Sequence, residues 1–132
     1  MGFEEISHTA DWSVRVWAPE LPSLFVEAAR AMNALAGVKP GTGERLTRTF
    51  ETQAPDPEGL LVAFLSELVY YQEQENLTFD TFDLRMGGGW LKVQMEGTQA
   101  ASVDKAIKAV TYHNLKIEKK KDGVETTIVF DV

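Results

Sequence analysis

The chain contains no cysteine, and this absence removes several classes of protein at once. A disulfide framework, a zinc ribbon and thiol chemistry all require cysteine, so the sequence offers none of them. Long apolar runs are missing too: none approaches the roughly 20 residues that span a bilayer. The first residues, Met1 to Glu5, lack the basic start of a signal peptide. We therefore expect a soluble, cytoplasmic protein without a membrane partner.

Positive charge is scarce. Thirteen Lys and Arg residues stand against 20 Asp and Glu, which gives a net charge of −7 and a pI near 4.8. This balance disfavours direct, tight nucleic-acid binding, which depends on basic side chains displacing counterions from phosphates. It favours basic partners or cations. The one basic cluster, Lys116 and Lys119–Lys121, is either a solvated turn before Asp122 or an RNA-contacting patch.

Catalytic motifs are also absent. The sequence holds no serine–histidine–acid arrangement, no nucleophile elbow and no P-loop. The glycine run Gly87–Gly89 is too short and too late in the chain for a dinucleotide-binding loop. We therefore expect a protein that is not an enzyme.

What is present is a regular alternation of apolar and polar residues. It predicts seven strands, namely Phe3–Ser7, Ser13–Ala18, Leu46–Thr52, Thr78–Met86, Trp90–Glu96, Thr111–Lys119 and Val124–Asp131. Two helices are predicted over Glu20–Gly37 and from the cap at Asp56-Pro57 to about Gln74. A loop is expected at Gly97–Val103 and a single turn at Asp104–Lys108. The pattern predicts one α+β domain over residues 1–132, a largely antiparallel sheet with both amphipathic helices packed on one face.

The chemically distinctive residues lie at the two ends of the chain. Asp11 closes the segment His8-Thr9-Ala10-Asp11, and Asp131 follows the apolar run Ile128–Phe130. If a closing strand brings Asp131 beside Asp11, two carboxylates meet and require a cation or a proton. Carboxylate oxygens, with a backbone carbonyl or the terminal carboxylate of Val132, suit Ca²⁺ or Mg²⁺. Such a sparse site predicts weak binding of Ca²⁺, which a partner or a phosphate would tighten.

Several neighbouring side chains leave alternatives open. His8 and His113 could complete a zinc site with Asp11, although they lack a metal-ligand spacing, or each could be a hydrogen-bonded structural histidine. Lys108 is either an exposed edge residue or a group that neutralises a carboxylate or reaches a phosphate. Glu67 either faces solvent beside the apolar stripe of its helix or forms a buried partner for Lys108.

Four separated segments resemble the archease family in order and spacing. They are His8–Asp11, Leu61–Tyr70, Lys108–Leu115 and Val129–Val132, and the resemblance extends over essentially the whole chain. The resemblance implies a small acidic protein that assists RtcB-type RNA ligases, the GTP-dependent enzymes that rejoin tRNA exon halves in tRNA splicing. It implies that the protein promotes guanylylation of the ligase histidine and repeated turnover of the ligase.

The resemblance also assigns roles to residues. It implies a divalent-metal site, usually assigned as calcium, formed by Asp11, Asp131 and the terminal residue Val132, and it implicates Lys108 in ligase activation. Glu67, His8 and His113 are accessory candidates. The alternative is a chaperone-like binding module for RNA-processing proteins, which would need an exposed apolar patch and not the two aspartates. Self-association is left open by the sequence.

Overall fold

The structure is a computed structural model and describes residues 1–6 and 12–132. Its helices are α1 (Leu21–Ala36) and α2 (Pro57–Glu75). Its strands are β1 (Gly2–Ile6), β2 (Trp12–Ala18), β3 (Lys39–Pro40), β4 (Leu46–Gln53), β5 (Leu77–Gly87), β6 (Trp90–Ser102), β7 (Ala109–Val110), β8 (Glu118–Lys120) and β9 (Gly123–Asp131). The predicted α+β class is confirmed, with antiparallel pairing throughout the described strands.

The strands form two sheets. In the five-stranded sheet β9 is central, with β2 along one side and β7 and β8 at opposite ends of the other side. In the four-stranded sheet β6 is central and pairs with β4, β5 and the short β3. Helix α1 contacts β1, β2, β5 and β9, while α2 contacts β4, β5, β6 and β7. Both helices therefore bridge the two sheets, whereas the sequence pattern had indicated one layer of helices on one sheet.

Local sequence explains where both helices begin and end. The Asp56 carboxylate accepts a hydrogen bond from the Gly59 N–H at 2.7 Å, and Pro57 occupies the first helical turn of α2. Helix α1 ends at Gly37 in the left-handed region (φ 65°), and α2 ends at Asn76 in the same region (φ 54°). These features were all predicted near the observed positions, except the Asn76 cap.

The core is one cluster shared by both sheets and both helices. Phe64 of α2 lies at its centre, with ring centroids 5.8 Å from Phe25, 6.4 Å from Phe50 and 5.7 Å from Phe82. The buried residues of α2 lie on more than one face of the helix; they are Leu60, Leu61, Val62, Phe64, Leu65, Leu68 and Val69. Among the described residues, no helix is both long enough and apolar enough to cross a membrane.

Three local predictions are wrong. The expected loop Gly97–Val103 is mostly the end of β6, because Thr98 and Gln99 pair with β5, and Ala100 and Ser102 with β3. No helical turn forms at Asp104–Lys108, which is irregular. The residues Pro40-Gly41-Thr42-Gly43 predict a turn, but Lys39 and Pro40 form β3 and the bend lies at Thr42-Gly43.

The predicted strand Thr111–Lys119 is wrong as well. Only Glu118–Lys120 pairs with β9, and a tight turn lies at His113-Asn114. The backbone between them finds other partners: the Ile117 N–H donates to the Glu58 carboxylate at 2.8 Å, and the Lys116 carbonyl accepts from the Thr126 hydroxyl at 2.9 Å. Since these bonds satisfy the polar backbone groups, the segment does not need a ladder partner.

Candidate functional site

Strand β9 holds Asp131 in a fixed position close to the chain end. On one side of the strand, Phe130 pairs with Trp12 of β2, and on the other side Asp131 pairs with Ala109 of β7. Phe130 is 1% exposed, and the side chain of Val132 packs against the core. The Asp131 side chain itself is exposed. Its backbone is therefore tied down by both neighbours and the residues beside it, while its carboxylate remains available.

Lys108 lies directly beside this aspartate in the sheet. Its backbone N–H donates to the Asp131 carbonyl at 2.8 Å, and its side chain is exposed. Among the described residues, no acidic group lies within ion-pair distance of the Lys108 ammonium. The fold thus brings together Lys108 and Asp131, two residues that the sequence places 23 positions apart.

His113 belongs to a hydrogen-bonded turn after β7. The Thr111 hydroxyl donates to the Val129 carbonyl at 3.1 Å and accepts from the His113 N–H at 3.2 Å. Asn114 occupies the left-handed region with φ 52°. The His113 ring Nε2 lies 3.3 Å from the Asn114 side-chain amide, which can donate to an unprotonated Nε2. The ring is exposed, so the described contact of its Nε2 is with an amide at the protein surface.

Glu67 is half-buried on α2 and, within the described ranges, forms no ion pair with Lys108. Its negative charge instead affects Tyr71, one turn further along the helix. Burial raises the pKa of the Tyr71 hydroxyl above its ordinary value, and the negative charge of Glu67 raises that pKa further. Glu67 therefore makes the Tyr71 hydroxyl harder to deprotonate.

Asp11 and His8, together with Thr9, fall outside the described residues. What the structure gives is the position of the next residue along the chain: Trp12 is paired with Phe130, the residue that precedes Asp131.

The donor chemistry at this end of β9 suits a hard cation. Asp131 supplies carboxylate oxygens and Val132 a main-chain oxygen, and Ca²⁺ and Mg²⁺ prefer oxygen ligands. Residues 1–6 and 12–132 contain no group of three or more His, Cys, Asp or Glu side chains that could hold a metal ion. Within the described ranges, Asp131 and Val132 therefore offer too few ligands to form a metal site by themselves.

The sequence alone did not predict a groove that Lys108 helps to line. It lies between α2 and the irregular segment Val103–Lys108, and it includes Gln72, whose amide nitrogen is buried. A signal existed in the sequence, because the apolar stripe of α2 reaches Tyr71 or Gln72 at its final turn. A polar side chain at a stripe position is a mark of a buried polar group or of a binding surface.

Comparison with known proteins decides the family. The model of the archease protein family matches residues 3–132. The chain belongs to the archease family. Protein archease of Methanosarcina acetivorans is 34% identical, with 98% of this chain and 95% of that protein covered. Protein archease of Methanopyrus kandleri is 33% identical, with 93% of each chain covered.

Solved structures agree on the archease fold. Methanobacterium thermoautotrophicum protein 1598 has a TM-score of 0.71 at 22% identity, with 99% of each chain covered. An archease from Thermotoga maritima has a TM-score of 0.70 at 23% identity, with 98% of this chain and 96% of that chain covered. The arrangement of two helices with two antiparallel sheets is therefore shared with these proteins.

Proposed function

We propose that this protein is a non-catalytic activator of an RtcB-type RNA ligase in tRNA splicing. In this role it promotes the GTP-dependent guanylylation of the ligase histidine and allows the ligase to turn over repeatedly. Membership of the archease family supports the proposal. The observation that carries it is the junction of Lys108 and Asp131 at the end of β9, where both side chains are exposed.

The metal part of the proposal assigns ligands at the same junction. Asp11, Asp131 and a main-chain oxygen of Val132 would hold a divalent cation, with calcium as the expected ion. A bound cation would supply positive charge for phosphate oxygens at the ligase. Support comes from the β2–β9 pairing, which places Trp12 opposite Phe130 and so keeps the neighbours of both aspartates together.

Lys108 and the acidic surface have separate tasks in this proposal. The Lys108 ammonium provides a mobile cation that can meet a phosphate or a ligase carboxylate, as phosphoryl-transfer sites require. The net charge of −7 attracts a basic partner and speeds the encounter between the two proteins. The protein therefore completes the site of another protein and carries out no bond-breaking step by itself.

The test measures the initial rate of ligase guanylylation with labelled GTP and a substoichiometric amount of this protein. Asp131→Asn should remove the acceleration, because it removes charge at an exposed side chain and leaves the backbone pairing intact. Asp122→Asn is the matched control. Asp122 is exposed in the turn that precedes the other end of β9, roughly 30 Å away along the strand direction, and its variant should leave the acceleration unchanged.

Lys108→Met and the control Lys105→Met complete the set. Both lysines are exposed, and only the first lies beside Asp131, so only Lys108→Met should lower the acceleration.

Full acceleration by Asp131→Asn would refute the assigned site. Failure of the wild-type protein to accelerate an active ligase would refute the function. A chaperone-like binding role would then become the better hypothesis. The Thermotoga maritima archease is described as a possible chaperone.

A further inference from the structure

The four-stranded sheet ends in an open edge at β5. Among the described residues, β5 pairs with β6 alone, and no hydrogen bond from another element reaches its main chain between Phe82 and Met86. Helix α1 contacts the beginning of the strand, where the Asn33 side-chain amide donates to the Phe79 carbonyl at 3.4 Å. The later part of β5 therefore presents unpaired main-chain groups, onto which a further strand can add.

The hydrogen-bond pattern of the β5–β6 hairpin identifies these groups. Its two-residue turn is flanked by Gly87 and Trp90, and the residues that flank such a turn exchange hydrogen bonds. Bonded and non-bonded residues alternate from there along the strand. The main-chain N–H and C=O groups of Phe82, Leu84 and Met86 therefore point away from β6, toward the open edge.

The same three residues leave apolar surface uncovered on the inner face of the sheet. Phe82, Leu84 and Met86 pack against the core but are only half-buried. Their partners on the central strand β6 are at most 3% exposed. A strand added beside β5 would give the edge row the neighbour that it lacks, and it would bury more of this apolar surface.

The opposite edge of this sheet, at β4, is protected. Its inward row consists of Arg48, Phe50 and Thr52, and the Arg48 guanidinium is paired with the Glu75 carboxylate. Inward-pointing charged residues at a sheet edge hinder the addition of another strand. The inward row of β5 from Phe82 to Met86 is entirely apolar, so of these two edges β5 is the one open to pairing.

The charges of β5 select the strand that fits. Asp83 and Arg85 are exposed and belong to no ion pair in the part of the chain that the structure describes. A second β5, related by a two-fold axis through Leu84 perpendicular to the sheet, places Asp83 opposite Arg85 twice and Phe82 opposite Met86 twice. The charged pairs then occupy non-hydrogen-bonded positions, where opposite side chains approach most closely.

We propose that β5 pairs with β5 of a second copy of this chain, which joins the two four-stranded sheets in a two-fold symmetric dimer. The two Phe79 positions, where Asn33 contacts β5, lie on opposite sides of the axis, roughly 34 Å apart along the strands. The ladder is short, so the dimer is weak, with a dissociation constant on the order of 0.1–1 mM. Unfolding experiments on dilute protein therefore report on the monomer, in which Asp83 is unpaired.

Charge reversal tests this register without a ligase, so the outcome is independent of the proposed function. Asp83→Arg and Arg85→Asp each place like charges opposite one another in a homodimer. An equimolar mixture of the two variants restores both oppositely charged pairs. The controls are Glu5→Arg on β1 and Lys39→Asp on β3, which make the same changes in net charge at exposed strand residues.

Sedimentation equilibrium up to about 1 mM protein gives the dissociation constants, and thermal unfolding checks the fold of each variant. Each charge reversal should raise the dissociation constant about tenfold or more, because two favourable cross-strand pairs become repulsive. The mixture and both controls should dimerise as wild type does. In concentrated wild-type protein, amide hydrogen exchange should slow at Phe82, Leu84 and Met86, whose N–H groups gain partners.

Three results would overturn the inference. A wild-type protein that remains monomeric at about 1 mM does not form this dimer. A dimer that Asp83→Arg and Arg85→Asp weaken no more than their controls do is held by another surface. A mixture of the two variants that associates no better than either alone excludes the pairing of Asp83 with Arg85.

Discussion

At the scale of single residues, Arg45 and Arg48 form three ion pairs beside the four-stranded sheet. The Arg45 guanidinium contacts both the Asp80 carboxylate and, at 2.9 Å, the Glu96 carboxylate, and Arg48 lies 2.6 Å from the Glu75 carboxylate. The hydrogen bond from Arg45 holds the pKa of Asp80 below its ordinary value. The bond from Arg48 does the same for the pKa of Glu75. Each pairing favours the charged form of the acid.

These shifts predict how stability depends on pH. The folded-state pKa values of Glu75 and Asp80 both lie below their ordinary values, so the unfolded chain binds more protons as the pH falls through the ordinary range of these acids. Their contribution is fully present above the unfolded pKa and is lost as the pH falls through the folded pKa. Unfolding in denaturant, measured from about pH 5 to about pH 3, should show a shallower loss for Glu75→Gln and Asp80→Asn than for wild type.

The control for this prediction is Asp83→Asn. Asp83 is exposed on the same strand as Asp80 and belongs to no ion pair among the described residues. Its variant should follow the wild-type curve. If the free energy of unfolding of Asp80→Asn and Glu75→Gln falls with pH as steeply as that of wild type, the guanidinium contacts do not stabilise the fold.

At the scale of elements, the longest strand depends on one glycine. Gly97 lies in the middle of β6, paired with Leu46 of β4 and Phe79 of β5, next to the irregular register between Phe79 and Thr81. A Cβ atom at this position would clash with the Thr78 carbonyl oxygen and the Phe79 backbone. The close approach of β5 to β6 therefore requires a residue without a side chain.

Gly97→Ala should destabilise the protein by about 1–3 kcal/mol, because backbone atoms of β5 must move to accept the methyl group. Gly88→Ala is the control, since a Cβ atom at Gly88 meets no atom within 4 Å. The free energy of unfolding from denaturant curves measures both changes. Equal stability of the two variants would show that β5 can shift at little cost.

At the scale of the whole molecule, the two sheets and both helices share one core. Phe64 is fully buried and lies beside Phe25 of α1, Phe50 of β4 and Phe82 of β5. The same core continues to Phe130, which precedes Asp131 on β9. Packing around α2 therefore fixes the position of the strand end where the proposed site lies.

Phe64→Ala should lower the free energy of unfolding by about 3–5 kcal/mol, since it leaves a cavity among three other aromatic rings. Tyr70→Ala on the same helix should cost about 1 kcal/mol or less, because Tyr70 is 54% exposed. Equilibrium unfolding provides both values. A loss no larger in Phe64→Ala than in Tyr70→Ala would mean that the core can repack around the missing ring.

Strong local signals made most of the elements predictable. Asp56 and Pro57 mark the start of α2. The Asp56 carboxylate accepts a hydrogen bond from the Gly59 N–H, and Pro57 has no N–H that would need a partner. The glycine run Gly87–Gly89 lies between two predicted strands and so predicts a hairpin, and β5 and β6 form that hairpin. The segment Thr111–Ile117 could not be placed from its alternation, because its backbone groups bond to Glu58 and Thr126, which lie on other elements.

By itself, the sequence determined the α+β class, both helices, the cap at Asp56, the helix end at Gly37 and most of the long strands. All of these follow from periodicity, from capping bonds within one turn, or from the side chains themselves. The tertiary structure decided that there are two sheets, that the Lys108 N–H is hydrogen-bonded to the Asp131 carbonyl, and that Gln72 and Ile107 line one groove. The reason is physical: each of these depends on contacts between segments far apart in the chain, and such contacts leave no local pattern to read.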